Sequence, residues 1–177
     1  MKTEHTYKSS LPSQMTRVQF LNCFGSVYES SPWIAETAWD LGQIDSKALD
    51  SAEKLSSIFS QIVDKASDKK KLALLNAHPD LAGKLAIAGK LTADSKKEQA
   101  GADLQNCTKE EFEQFQKLNT NYKEKFGFPF ILAVQGYQRS EILKIFEKRI
   151  KNSIEEEYEV ALAQVNRIAL LRLSRIE

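Results

Sequence analysis

Between Leu49 and Ala66 the residues Leu49, Ala52, Leu55, Ser56, Phe59, Ile62, Val63 and Ala66 recur at intervals of three and four, the pattern of a helix with one buried face. Such a stripe must pack against another element, and the rest of the chain offers mainly more helices. Only seven Gly and four Pro punctuate the 177 residues, so little interrupts helical geometry.

Cap signals divide the chain. Residues 1–15 read as a flexible lead-in. Val18, Phe20, Leu21 and Phe24 mark a short helix that stops at Gly25. Ser31-Pro32 opens a second through Trp33, Ile34, Ala38 and Trp39, closed by Gly42. Asp45 or Ser46 caps the long third helix. A fourth begins near Asp68 and runs through Leu72 and Leu75 to Ala77, where Pro79 disfavours helix at His78 and places it at a corner. Ser95-Lys96-Lys97-Glu98 and Thr108-Lys109-Glu110-Glu111 both have capping-box spacing. The second precedes a helix bearing Phe112, Phe115, Leu118, Tyr122 and Phe126, ended by Gly127. Pro129 makes residues 128–134 start as an extended segment, and two helices, about 140–151 and 154–173, finish the chain. No βαβ rhythm and no fixed repeat emerge, so the expected fold is all-α, a single compact bundle of about eight helices over residues 16–177.

Twenty-five Lys and Arg against 24 Asp and Glu leave a net charge of +1, which argues against nucleic acid or an anionic membrane as partner. The run from Phe128 to Val134 is far short of the roughly 20 residues that span a bilayer. The polar start lacks the apolar core of a signal peptide, and the last three residues are not a peroxisomal S-K-L tail, so a cytoplasmic protein is expected. Cys23 and Cys107 match no ligand spacing and read as free thiols. With two histidines in all, one of them His5 in the lead-in, no multi-histidine metal site is available. P-loop, G-x-S-x-G and G-x-G-x-x-G motifs are absent.

Four features remain. His78 at its corner is either a structural hydrogen-bonding residue or an acid–base catalyst. Glu98 reads as the reciprocal residue of a capping box, while Ser95, Glu98 and Gln99 at a helix start also suit an amide-rich ligand. Arg172 follows Ile154, Tyr158, Ala161, Val165 and Ile168 on one apolar stripe. Its stem either snorkels to solvent or its guanidinium faces a pocket that receives an anion. The segment from Gly127 to Val134 is either a buried connector or a source of unpaired backbone amides for carbonyls or carboxylates.

From about residue 16 to residue 173 the chain resembles the OHCU decarboxylase family, whose substrate is 2-oxo-4-hydroxy-4-carboxy-5-ureidoimidazoline. The likeness is carried by F-G-S-V-Y-E (24–29) with Ser31-Pro32-Trp33, by H-P-D-L-A-G-K (78–84), S-K-K-E-Q (95–99) and Y-K-E-K-F-G-F-P-F (122–130), by 157–165 and by R-I-A-L-L-R-L (167–173). The resemblance implies an all-helical homodimer that needs no metal or organic cofactor and converts its substrate to (S)-allantoin in urate breakdown. Carried over residue by residue, it implies that His78, Glu98 and Arg172 are catalytic. It implies substrate contacts at Pro79, Ser95, Glu98 and Gln99, and at Phe130, Ile131, Leu132, Ala133 and Val134, largely through the backbone of that last segment. The competing expectations are a non-catalytic helical binding module and an enzyme for a related ureido or hydantoin-like ring.

Overall fold

The computed structural model describes residues 4–44, 46–83 and 91–177. Asp45, one of the two expected caps, and Lys84, which ends the H-P-D-L-A-G-K motif, lie outside the described residues, as do residues 1–3 of the lead-in. Eight α-helices account for the fold among the described residues, which contain no strand and only an isolated bridge between Thr6 and Ser51. None of these helices is long and apolar enough to cross a membrane. The chain forms two compact units, Met1–Ala77 with Asn166–Glu177, and His78–Val165, so the division falls inside the last helix.

In the first unit, α1 (Arg17–Phe24) starts at a capping box in which Thr16 accepts from the Gln19 amide while the Gln19 side chain accepts from Thr16. It buries Phe20 and Phe24. Val18, expected on that face, is 68% exposed, because residues two apart in a helix sit about 200° around the axis from each other. The α2 helix (Trp33–Asp40) follows Pro32, and Gly42 turns the chain beyond it at φ +63°. Phe20 anchors this core, its ring centroid 5.1 Å from Phe24, 5.4 Å from Trp39 and 6.4 Å from Phe59.

The third helix, α3, spans Ala52–Lys65 and begins later than expected. Ser46 does not cap it. Instead Lys47–Leu49 forms a 3-10 turn, and the Ser51 hydroxyl accepts from the Lys54 amide at 3.3 Å. The expected stripe from Ala52 through Leu55, Ser56, Phe59, Ile62 and Val63 is buried. Residues 4–15 make contacts of their own: the Tyr7 amide donates to Asp50 O, the Ala52 amide to His5 O, and the Ser13 amide and hydroxyl to the Asp50 carboxylate. The α4 helix (Asp68–Asn76) buries Leu74 and Leu75 and leaves Leu72 exposed.

The second unit holds α5 (Ala93–Gly101), α6 (Lys109–Phe126), α7 (Arg139–Arg149) and most of α8 (Ile154–Leu173). Thr108 and Glu111 form the expected capping box of α6, and Gly127 ends that helix at φ +78°, a conformation that favours a residue without Cβ. The S-K-K-E box is not formed. Thr92, three residues earlier, caps α5 by accepting from the Ser95 amide at 3.3 Å, which puts Ser95 inside the first turn and Glu98 in the second. Residues 128–134 run without regular structure and are buried apart from a half-exposed Ala133. Phe130 stacks on Phe146 of α7, centroids 3.8 Å apart and planes at 11°.

Beneath that stack lies a buried ion pair. Glu157 of α8 is fully buried and accepts from Arg149 Nε at 2.9 Å, from Asn152 Nδ2 at 2.7 Å and from the Tyr122 hydroxyl. Burial, reinforced by the Glu157 carboxylate, pushes the Tyr122 phenol well above its ordinary pKa, so it stays a donor. A carboxylate this far from water is tolerated only because its partners are fixed. Arg149→Ala is therefore expected to lower unfolding free energy by about 3–5 kcal/mol, as measured by chemical denaturation.

Candidate active site

His78 opens the corner that follows α4 and runs to Gly83, and it is buried. What fixes the corner is a set of side-chain bonds to its backbone. Gln99 of α5 uses both ends of its carboxamide: Oε1 accepts from the Ala82 amide at 3.1 Å, and Nε2 donates to Asp80 O at 3.2 Å. From α6, Asn119 Nδ2 donates to Leu81 O at 3.0 Å and Gln116 Nε2 to Ala82 O at 2.9 Å. Lys123 Nζ pairs with Asp80 Oδ2 at 2.7 Å. Those α6 residues sit at positions 116, 119 and 123, one helical face.

The corner is strained, which explains the number of restraints. Ala82 has φ +49°, a left-handed conformation that a side chain bearing Cβ adopts at a cost of about 1–2 kcal/mol. Gly83 leaves no room either, since a Cβ there would stand 2.7 Å from Asp80 Cβ. Left to itself such a turn would relax, and the bonds to both the amide and the carbonyl of Ala82 prevent it.

Through Gln99 the α5 helix is brought against this corner. Its buried side chains are Ser95 and Gln99, one turn apart, with half-buried Glu98 beside them. Because Thr92 takes the capping role, neither Ser95 nor Glu98 is needed as the cap pair. His78, Pro79, Ser95, Glu98 and Gln99 thus belong to one unit, on two elements joined by the Gln99 carboxamide.

The expected backbone segment, Phe130 to Val134, belongs to the same unit and connects to the corner through α6. Asn119 of α6 holds Leu81, and one turn on Tyr122 packs edge-on against Phe128 and Phe130, with centroids 5.9 and 5.4 Å away. Not every amide in the segment is open. The Ala133 amide donates to Gln164 Oε1 of α8 at 3.0 Å, and Ile131 O accepts from Arg149 at 2.7 Å.

Arg172 belongs to the other unit. It does not snorkel: its side chain is 4% exposed and donates to Glu29 Oε2 at 2.9 Å and to Val27 O at 3.3 Å. Glu29, equally buried, ends the F-G-S-V-Y-E motif, and no periodicity or spacing in the sequence marks it. Its neighbour Tyr28 donates to Asn166 Oδ1 at 2.8 Å, so residues 27–29 are tied to the last turns of α8 on two sides. The expected stripe is buried from Ala161 to Arg172 at Ala161, Val165 and Ile168, whereas Ile154 is exposed.

No group of His, Cys, Asp and Glu able to hold a metal ion occurs among the described residues. Cys23 and Cys107 are free thiols, and burial pushes both above the ordinary thiol range.

Against known proteins, the family model described as OHCU decarboxylase matches residues 13–174. A 2-oxo-4-hydroxy-4-carboxy-5-ureidoimidazoline decarboxylase of Haloferax volcanii is 39% identical over 155 residues, covering 88% of this chain and 87% of that protein. The mouse protein of the same name is 33% identical, over 88% of this chain and 85% of its own length. Among solved structures, one described as (S)-allantoin synthase superposes with a TM-score of 0.72 at 31% identity. It covers 93% of this chain, which spans about half, 52%, of that longer one.

Replacing Ala82 by Gly removes the left-handed penalty without touching either backbone bond. Ala82→Gly is expected to raise unfolding free energy by about 1 kcal/mol in urea denaturation.

Proposed function

Because the chain belongs to the OHCU decarboxylase family, whose reaction turns 2-oxo-4-hydroxy-4-carboxy-5-ureidoimidazoline into allantoin in urate breakdown, we propose that His78 is the residue at the centre of that reaction here. The observation that carries the reading is the family match over residues 13–174, with H-P-D-L-A-G at a corner whose backbone is held by three side chains from two helices and whose Asp80 carboxylate pairs with Lys123. Catalytic groups work when their supporting shell fixes them, and a strained turn so restrained supplies such a shell.

In the proposed chemistry the substrate's carboxylate and hydroxyl share one ring carbon. As the bond to the carboxylate breaks, carbon dioxide leaves and the electron pair passes into the neighbouring ring unsaturation, giving an enol-like intermediate. A proton then returns to carbon. The substrate supplies its own electron sink, which is the ground for proposing a reaction without metal or organic cofactor. His78 interacts with the hydroxyl or carboxylate and moves the proton, while Glu98 orients His78 or the ureido nitrogens. Pro79, Ser95 and Gln99 complete the substrate contacts. Backbone groups of residues 130–134 hold ring oxygens and so fix the protonated face, and with it the S configuration of allantoin.

The role of Arg172 is proposed on the family resemblance. Its pairing with Glu29 supports a guanidinium of fixed orientation, suited to hold polar groups of a substrate with its planar fork. A cytoplasmic homodimer completes the proposal.

Two measurements test it. With substrate generated in place by urate oxidase and hydroxyisourate hydrolase, circular dichroism should show rapid growth of the (S)-allantoin signal, since uncatalysed decay delivers the proton to either face. His78→Ala, folded, should lose this signal by at least roughly a hundredfold in rate. A trace indistinguishable from the uncatalysed one in the unmodified protein would favour a binding module or another ring substrate. Arg172→Lys keeps the charge but not the fork, and kcat/KM should fall by roughly tenfold or more.

A further inference from the structure

Two side chains with no assigned part in the reaction grip the 130–134 segment by its backbone, one at each side of Leu132. Arg149 donates to Ile131 O at 2.7 Å, and Gln164 accepts from the Ala133 amide at 3.0 Å. Arg149 is buried and Gln164 half-buried. The Arg149 guanidinium is locked to Glu157 and lies over the Phe130 ring, 4.6 Å from its centroid, so three contacts set its position.

Peptide planarity turns these two bonds into a statement about a third residue. Among the described residues no peptide bond is cis, and in a trans peptide C=O and N–H point in opposite directions. With Ile131 C=O directed at Arg149, the Leu132 N–H points away from it. With the Ala133 N–H directed at Gln164, the Leu132 C=O points away from that. Leu132 is itself buried, yet among the described residues neither its N–H nor its C=O has a hydrogen-bond partner. Buried backbone groups are nearly always paired, and a donor and acceptor both left open on one residue suit a ligand that brings the complementary pair, such as the O=C–N–H edge of a lactam or ureide ring.

We infer that Arg149 and Gln164 are positioning residues, which by holding the flanking peptide planes orient Leu132's N–H and C=O for that edge of the substrate. The inference rests on the proposed function. It assigns them no contact with substrate: Arg149 acts through Ile131, and Gln164 through Ala133.

Gln164 offers the cleaner test, because Arg149 also supports the buried carboxylate. Gln164→Leu removes the acceptor and releases the Ala133 plane, while Gln164→Glu retains an acceptor oxygen. Kinetics and the optical purity of the allantoin formed are compared for the two variants, for unmodified protein and for His78→Ala. Gln164→Leu should raise KM by roughly tenfold and lower the (S) excess, with Gln164→Glu restoring both toward the unmodified values. A purely structural glutamine would lower thermal stability without changing optical purity. A folded Gln164→Leu enzyme with unaltered KM and (S) excess overturns the inference alone. Loss of activity in the unmodified protein would instead overturn the proposed function, and the inference with it. Should Gln164→Leu not fold, amide NMR of the unmodified protein titrated with allantoin decides. A shift of Leu132's amide with Ala133's unmoved supports the inference, and the reverse pattern overturns it.

Discussion

The carboxylate of Glu157 is the point on which the second unit turns. It has no exposure, yet it collects Arg149, Asn152 and Tyr122, and through them it joins α6, α7, the turn after α7 and α8. Apolar packing could close those helices together, but in many registers of nearly equal energy. One buried charge with directional partners admits few. The aromatic set of Tyr122, Phe126, Phe128, Phe130 and Phe146 then fills the space around a frame already fixed in orientation. The same guanidinium continues to Ile131 O, so the frame extends to the segment beside it.

The corner after α4 is governed by a different means. Carboxamides hold its backbone, with Gln99, Gln116 and Asn119 each reaching residues 80–82, while the Lys123–Asp80 ion pair joins side chains only. Amide side chains suit this because they donate and accept without the desolvation cost of an ion. In the first unit the arrangement returns to charge: Arg172 and Glu29 are paired where neither meets water, and the Val27 carbonyl shares the guanidinium.

Much of the helical order was legible along the chain. Thr108 with Glu111, the glycine at 127 and the stripe of α3 each combine a local signal with the periodicity that follows, and these agree with the structure. Where two local signals competed, spacing alone misled. Ser95-x-x-Glu98 spells a complete capping box, whereas Thr92 has no Glu or Gln three residues on, yet Thr92 caps the helix. Ser46 likewise lost to Ser51, beside which residues 5–7 pair with 50–52. The proposed site residues His78, Glu98 and Arg172 stood out through motif and stripe. Glu29, Arg149 and Glu157 did not, for a physical reason. An arginine in the last turn of a helix and a glutamate in the first are ordinary complements to the helix dipole, and only tertiary burial makes them unusual.

The double use of the Gln99 carboxamide has a thermodynamic consequence. Both of its ends bond the Asp80 and Ala82 backbone, so a molecule that draws either end away from its backbone partner must loosen the turn that carries His78. Occupancy and the shape of that turn are then linked functions: whatever factor the turn's distortion takes from affinity, occupancy imposes equally on the turn. A side chain that only supported the loop would leave the two independent, and so would one that only met the ligand.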